Sequence, residues 1–339
     1  MGRISRRRFI EGTALALGGN LTHSFDGLFG DGAALAQGTG ESTWPSRPVR
    51  FIVPLAAGGG LDFVARVIGE HMSRELRQQI FIENRTGAGG TIGIDTAIKS
   101  TPDGYSVLIS NDNVAAAPHV LQLNVDFLKD LLPVALIGRQ PQALAVHPSL
   151  AAVKSVADLI ALVKQKPGTG CATSGVGSNQ HVLLEWFAKR AGVKLDHVPY
   201  RGAGQAINDL IAGHVQVGFL GPTALIPHYK AGTLRLLAQS GEGRSRSMPD
   251  IPTLVESGFP GLTLESWYAA FVPLGTPSPV ITRLNEAMNA ALADPATREN
   301  FLKSATEPAG GTPADLARSS RADYEKYARL INELNFRVN

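Results

Sequence analysis

Three stretches of this chain place small, flexible residues where a strand hands over to a helix: Pro54-Leu55-Ala56-Ala57-Gly58-Gly59-Gly60-Leu61-Asp62, Thr173-Ser174-Gly175-Val176-Gly177-Ser178 and Pro199-Tyr200-Arg201-Gly202-Ala203-Gly204. Glycine lets backbone N–H groups approach an anion closely, and the first turn of a helix offers unpaired N–H groups with about half a positive charge. In open α/β sheets ligands bind at the carboxyl ends of strands, which is where these loops fall. The candidate site residues are therefore Ala57, Gly58, Gly59, Gly60, Ser174, Gly175, Gly177, Ser178, Arg201, Gly202 and Ala203. One such loop is ordinary connection chemistry. Two on different sheets, facing each other, form a cleft that closes on an anion such as a carboxylate. The hold would come from backbone amides and hydroxyls, with no obligatory arginine clamp. On this reading a bulky side chain at Gly59 blocks the anion, Ser178→Ala weakens binding about tenfold by losing one hydrogen bond to a charged group, and Arg201 acts mainly through attraction that salt screens.

Other chemistries lack their spacing. Gly175-Val176-Gly177 runs on to Gln180, and Gly202-Ala203-Gly204 to Ile207, so neither completes the dinucleotide fingerprint. The P-loop and the hydrolase nucleophile elbow are missing as well. The eight histidines show no metal-ligand spacing, and His181, on an apolar helical stretch, reads as packed or capping. Cys171 is the single cysteine, sits in a short β-type run and has no base beside it in sequence. No cofactor, metal or catalytic residue is expected.

The elements needed to position these loops are legible. Short β-branched runs alternate with helical patterns: VRFIVPL, a helix from Asp62, QIFIEN, a helix from about Thr91, YSVLIS and PVALIG. After Asp62, Val64, Val67, Ile68, Met72 and Leu76 share one helix face. A second series starts near Ala143, with strands ALAVH, CATS, LDHVPY, VQVGFL and LRLLAQS separated by helices. An apolar run from Trp267 to Leu274 and a broken helical region from Pro277 to about Glu333 close the chain. Such alternation predicts mostly parallel sheets. With 339 residues, 44% hydrophobic and 18% charged, two domains are expected. With no linker between them, strands near Ala143 to His147 and Trp267 to Val272 are expected to cross as a hinge. The lobes would then be residues 44–144 with 266–339, and residues 145–265. A net charge of +3 without a basic arm argues against nucleic acid as a partner.

The first residues supply an address. Ser5-Arg6-Arg7-Arg8-Phe9-Ile10 fits the twin-arginine export pattern, a weakly apolar stretch follows, and Ala34-Leu35-Ala36 offers a cleavage site before Gln37. Residues 1–36 read as a signal peptide and the mature protein as soluble, monomeric and periplasmic. No cysteine follows the apolar stretch, which excludes a lipoprotein anchor.

Six blocks in order give a resemblance over about Trp44 to Glu333: WPSRPVRFIVP with the first glycine loop, IENRTGAGGTIG (Ile82 to Gly93), PDGYSVLIS (Pro102 to Ser110), TSGVGSNQHV (Thr173 to Val182), HVPYRGAGQAINDLIAGHVQVGF (His197 to Phe219) and MPDIPTLVESGFPGL (Met248 to Leu262). The sequence resembles the Bug family of extracytoplasmic solute receptors, the binding proteins of tripartite tricarboxylate transporters. The resemblance implies a type II periplasmic-binding-protein fold, two α/β lobes with a ligand cleft between them, and no catalytic activity. It also implies that Ala57 to Gly60 and Ser174 to Ser178 hold a ligand carboxylate. The first loop departs from the family pattern: Ala56 and Ala57 stand where prolines are common, and Leu61 where a hydroxyl residue is. Leu220 replaces a frequent acidic residue, which makes an amino acid a less suitable ligand. Arg139, Arg201, Trp267 and Tyr268 are candidates for the distal half of the cleft. The expected function is capture of a small carboxylate for the membrane permease subunits of a transporter. The alternatives are a binding protein that reports its ligand to a two-component sensor kinase and, more weakly, an exported α/β enzyme.

Overall fold

A computed structural model describes residues 44–123 and 125–335, so the twin-arginine segment and the cleavage triplet lie outside the described residues. Eleven strands occur in them: β1 Val49–Val53, β2 Ile80–Asn84, β3 Ser106–Asn111, β4 Leu131–Gln140, β5 Ala143–Val146, β6 Thr169–Thr173, β7 Leu195–Pro199, β8 Val217–Leu220, β9 Arg235–Gln239, β10 Ser266–Pro273 and β11 Glu307–Pro308. Between them run α1 Gly60–Leu76, α2 Thr91–Ile98, α3 Asn113–Val120, α4 Phe127–Asp130, α5 Val156–Gln165, α6 Asn179–Ala191, α7 Ala203–Ala212 and α8 Pro222–Lys230, and the chain closes with α9 Ser278–Ala293, α10 Pro295–Lys303 and α11 Pro313–Leu334. The strands form two sheets, β11-β4-β10-β3-β1-β2 and β7-β6-β8-β5-β9. This is the two-lobed α/β architecture.

The sheets are mixed, which corrects the expectation of mostly parallel ones. β1 is parallel to β2 and β3, and β6 to β7 and β8, but β5 runs against β8 and β9, and β10 against β3 and β4. The reason lies in the crossovers. The chain leaves the first sheet after Gln140 and returns to it at Ser266. β5 and β10 are the first strands after those crossings, so each starts at the ends where its neighbours stop. Each also lies wholly in one sheet, so the crossings fall at Pro141–Gln142 and between Gln239 and Ser266, beside the strands expected to make them.

Helix α1 buries Leu61, Val64, Ala65, Ile68, Met72 and Leu76 against the first sheet, as its period requires. Helix α3 has no such signature, because all but His119 of its eight residues are buried and no polar face contrasts with an apolar one. One apolar cluster joins Leu108 of β3, Phe219 of β8, Phe187 of α6, Trp267 of β10 and Tyr327 of α11. Helix α11, started by a reciprocal Thr312 and Asp315 capping box, packs on α3 and β4 and reaches α6.

Candidate functional site

The carboxyl ends of both sheets face each other across a small enclosed space of about 30 Å³. That is room for a carboxylate group or about two waters. A wider chamber of about 590 Å³ adjoins it, the two sharing Leu55 and Ser174 in their walls.

The starts of three helices border the inner niche. Helix α1 begins after Gly59, α7 after Gly202 and α8 after Gly221, and at none of them does a side chain cap the first turn. Gly59, Gly60, Ala203 and Gly221 line the niche. Their helix-start N–H groups therefore have no side-chain acceptor of the protein's own. Two glycines are required by space. A Cβ on Gly60 would collide with the Tyr268 hydroxyl and lie 3.2 Å from Thr223 Oγ1. Gly202 has φ +147°, and a Cβ there would sit 3.1 Å from the Cβ of Ala56. Gly59 differs, since a Cβ there meets only ordinary contacts at 3.7 and 3.9 Å. A methyl group is therefore excluded at Gly60 and accommodated at Gly59.

Other candidates are placed differently from expectation. The N–H of Gly58 donates to Asp62 Oδ2 at 3.1 Å, and Ala57 and Gly58 are exposed. Asp62 also accepts from Arg66 and Asn84; burial raises its pKa, but these bonds outweigh that and hold its carboxyl below the usual range. Asp62 thus ties the first loop into shape. Ser178 is buried outside the niche, donating to the Gly175 carbonyl at 2.6 Å and accepting from His181 N–H at 3.2 Å, as the N-cap of α6. Its one hydrogen is committed inside the protein. Ser174 borders both spaces, but its hydroxyl donates to Gln180 Oε1 at 2.7 Å, and Gln180 donates in turn to Gln142 Oε1 at 2.7 Å. Gly175 and Arg201 line the outer chamber with Tyr200 and the Gly87 to Gly90 turn, and Arg201 is exposed. Gly177 has φ +79° and packs near Ala117 and Leu121, away from the niche. Trp267 is a core residue whose Nε1 donates to Asp323 at 2.8 Å. Arg139 lies opposite Trp267 on β4 and does not reach the niche.

Sequence reasoning missed Asn111, Gln140, Gln180, Gly221 and Ser266, all of which line the niche beside Tyr268. Gly221 had a signal: it follows a strand and precedes Pro222 at the first helical position, the usual dress of a helix start. Gln140 and Ser266 are polar residues at the two crossovers, and only the fold brings them together. Gln140 Nε2 donates to the Tyr268 hydroxyl. Burial, with the Asp112 charge behind it, pushes the Tyr268 phenol well up, so it keeps its hydrogen.

No charged side chain lines the niche. Asp112 lies behind its wall, fully buried, accepting from Ser266, Tyr327 and Asn179. Burial pushes its pKa up to about 6 against those three donors. Below the second loop, the rings of His181 and His197 stack 3.6 Å apart. Burial depresses their pKa values to about 3 and about 4, the neighbouring imidazole adding to the shift of His181, so both are neutral at pH 7. Among the described residues no group of His, Cys, Asp and Glu could hold a metal ion, and no helix is long and apolar enough to cross a membrane.

The sequence matches the family described as "Tripartite tricarboxylate transporter family receptor" over residues 64–336. It is 35% identical to protein BugT of Bordetella pertussis over 312 residues, 91% of this chain and 95% of that one. Among solved structures it is similar to the periplasmic binding protein BugD, with 28% identity and a TM-score of 0.83 over 87% of this chain and all of that one. It is also similar to the R. palustris protein Rpa4515 with adipate, with 32% identity and a TM-score of 0.84 over the same shares. Together with the two facing sheets and the niche between them, these matches establish that the chain belongs to the tripartite tricarboxylate transporter family of solute-binding receptors.

Proposed function

We propose that this protein captures a small carboxylate outside the cytoplasm and presents it to the membrane permease of a tripartite transporter. The observation that carries the reading is the meeting of three helix starts without side-chain caps, those of α1, α7 and α8, at one niche with uncharged walls. Such a site offers N–H donors and positive helix ends to an anion at no cost of burying a counter-ion. Gly59, Gly60, Ala203 and the Tyr268 hydroxyl take the carboxylate; Ser174 shapes the wall, and Tyr200, Arg201 and Gly202 border the path from the outer chamber. Adipate in a relative of the same fold supports an acid as the ligand. As a receptor of this family, the protein binds and releases its ligand unchanged. The two lobes, one built on each sheet, close over the ligand by rotation about the crossovers at Pro141–Gln142 and between Gln239 and Ser266. The twin-arginine pattern directs the folded chain to the periplasm, and replacing Arg6 and Arg7 by Lys strands the precursor in the cytoplasm.

A thermal-shift screen of mono- and dicarboxylic acids, adipate included, tests the reading. A ligand at a hundred times its Kd stabilises by about 2.7 kcal/mol, which a melting curve resolves. No shift with any acid, alongside a shift with an uncharged or cationic solute, overturns it.

A further inference from the structure

The inner niche holds one polar atom whose partner must come from outside the protein. Asn111 ends β3, is only 5% exposed and lines the niche, and its Oδ1 has no hydrogen-bond partner. It pairs in register with Tyr268 on β10, so both side chains stand on the same face of the sheet, toward the niche.

Which end of the Asn111 amide faces the niche is settled by its neighbours. Asn113 Nδ2 donates to the Gly89 carbonyl at 3.0 Å, which leaves Asn113 Oδ1 turned to Asn111. Asn111 Nδ2 answers it at 3.4 Å. Reversing Asn111 would set two carbonyl oxygens against each other, so the orientation follows from the network and the free end is an acceptor. A bound molecule that fills the niche without supplying a donor leaves this buried acceptor unpaired, which is costly, and one that supplies a donor avoids that cost. Two hydroxyls there have committed their hydrogens inside the protein, Ser174 to Gln180 and Ser266 to Asp112, and Gln140 commits one of its two amide hydrogens to Tyr268.

We propose that Asn111 is a specificity residue, accepting a hydrogen bond from a hydroxyl on the carbon beside the ligand carboxylate, so that the preferred ligands are 2-hydroxycarboxylates. The inference rests on the carboxylate reading above. The small inner space places the hydroxyl close to the carboxylate that the helix starts hold, and not at the far end of the ligand. An ammonium in the same position fits poorly. It needs several acceptors, no carboxylate lines the niche, and Asp112 behind the wall already takes three donors.

Calorimetry on the mature protein with matched probes separates the possibilities: succinate against each enantiomer of malate, propionate against each enantiomer of lactate, and aspartate for the ammonium. One enantiomer of each hydroxy acid should bind about tenfold more tightly than its unsubstituted partner, and aspartate more weakly than succinate. Asn111→Leu should erase that ratio, bringing the hydroxy acid and its unsubstituted partner to within about threefold of each other on the same variant, and Asn111→Ala serves the same purpose if the leucine variant does not fold. The ratio is the readout that a merely structural role for Asn111 would leave alone. If succinate binds and neither hydroxy acid exceeds its partner, or if the Asn111 variants keep the preference, the inference is wrong and the carboxylate reading stands. If no acid binds while another class of solute does, both fall.

Discussion

The first and second glycine loops have nearly the same dress, a strand end, several glycines and a helix start, yet they are used in opposite ways. At the first, Gly58 is held by Asp62, and the start of α1 is left to the niche with no side-chain cap. At the second, Ser178 bridges Gly175 and His181, and α6 is capped from within. The comparison teaches that glycine content marks where backbone can come close, while the presence or absence of an internal acceptor decides whether a ligand is needed there. The third loop and Gly221 fall on the first loop's side of this division, since α7 and α8 also lack side-chain caps.

The sharpest way to break the comparison is to fill the first loop. Gly60→Ala pushes a methyl group into the Tyr268 hydroxyl and should lower carboxylate affinity about a hundredfold, the scale of one or two hydrogen bonds to a charged group. Gly59→Ala, one residue earlier and with only ordinary contacts for its methyl group, should stay within about threefold by calorimetry. Unchanged affinity in Gly60→Ala would mean that the niche is not where the anion sits.

Next in size is the second loop. Ser178→Ala removes an N-cap, worth about 1 kcal/mol of stability, so the melting temperature should fall by a few degrees. Affinity should change by less than about threefold. A tenfold loss of affinity at unchanged melting temperature would return Ser178 to the ligand.

The second loop also makes the acid limb of the stability profile its own. Gly177 N–H faces His181 Nδ1 at 3.4 Å and Thr173 Oγ1 bonds His197 Nε2 at 2.6 Å, so the neutral imidazoles are part of its scaffold. Their folded pKa values, about 3 and about 4, lie below the ordinary 6.5. The stability they give is complete above pH 6.5 and is lost as pH falls toward 4. Asp112 works the other way: raised from 3.8 to about 6, its burial penalty is relieved as pH falls from 6 to 4. Two histidines against one aspartate leave a net loss, read as a melting temperature that falls from pH 7 to pH 4.5. His197→Asn should flatten that slope. The smallest effect belongs to exposed Arg201: Arg201→Ala should weaken binding about threefold at low salt and not at all near 1 M, where the Debye length is about 3 Å.

Much of this was legible in the sequence, for a physical reason. Elements with one buried face, such as α1, write their period into the residues, and strand-to-helix handovers write glycines. What was hidden depends on long-range placement. Asn111, Gln140 and Ser266 lie at strand ends far apart in the chain, and nothing local marks them as neighbours. Ser178 and Gly58 carry local signals, but a hydroxyl that caps its own helix and one that meets a ligand look alike in sequence. Helix α3 was silent because burial on all sides erases the polar face.

The central claim is that the carboxylate is held by the helix starts lacking side-chain caps. It is tested most directly by amide chemical shifts of the 15N-labelled protein during titration with the tightest-binding acid of the screen. The largest changes should fall on Gly60, Leu61, Ala203 and Gly204, with Gly58, Ser178 and His181 nearly still. Large shifts at Ser178 and His181 with a quiet Gly60 and Ala203 would contradict it.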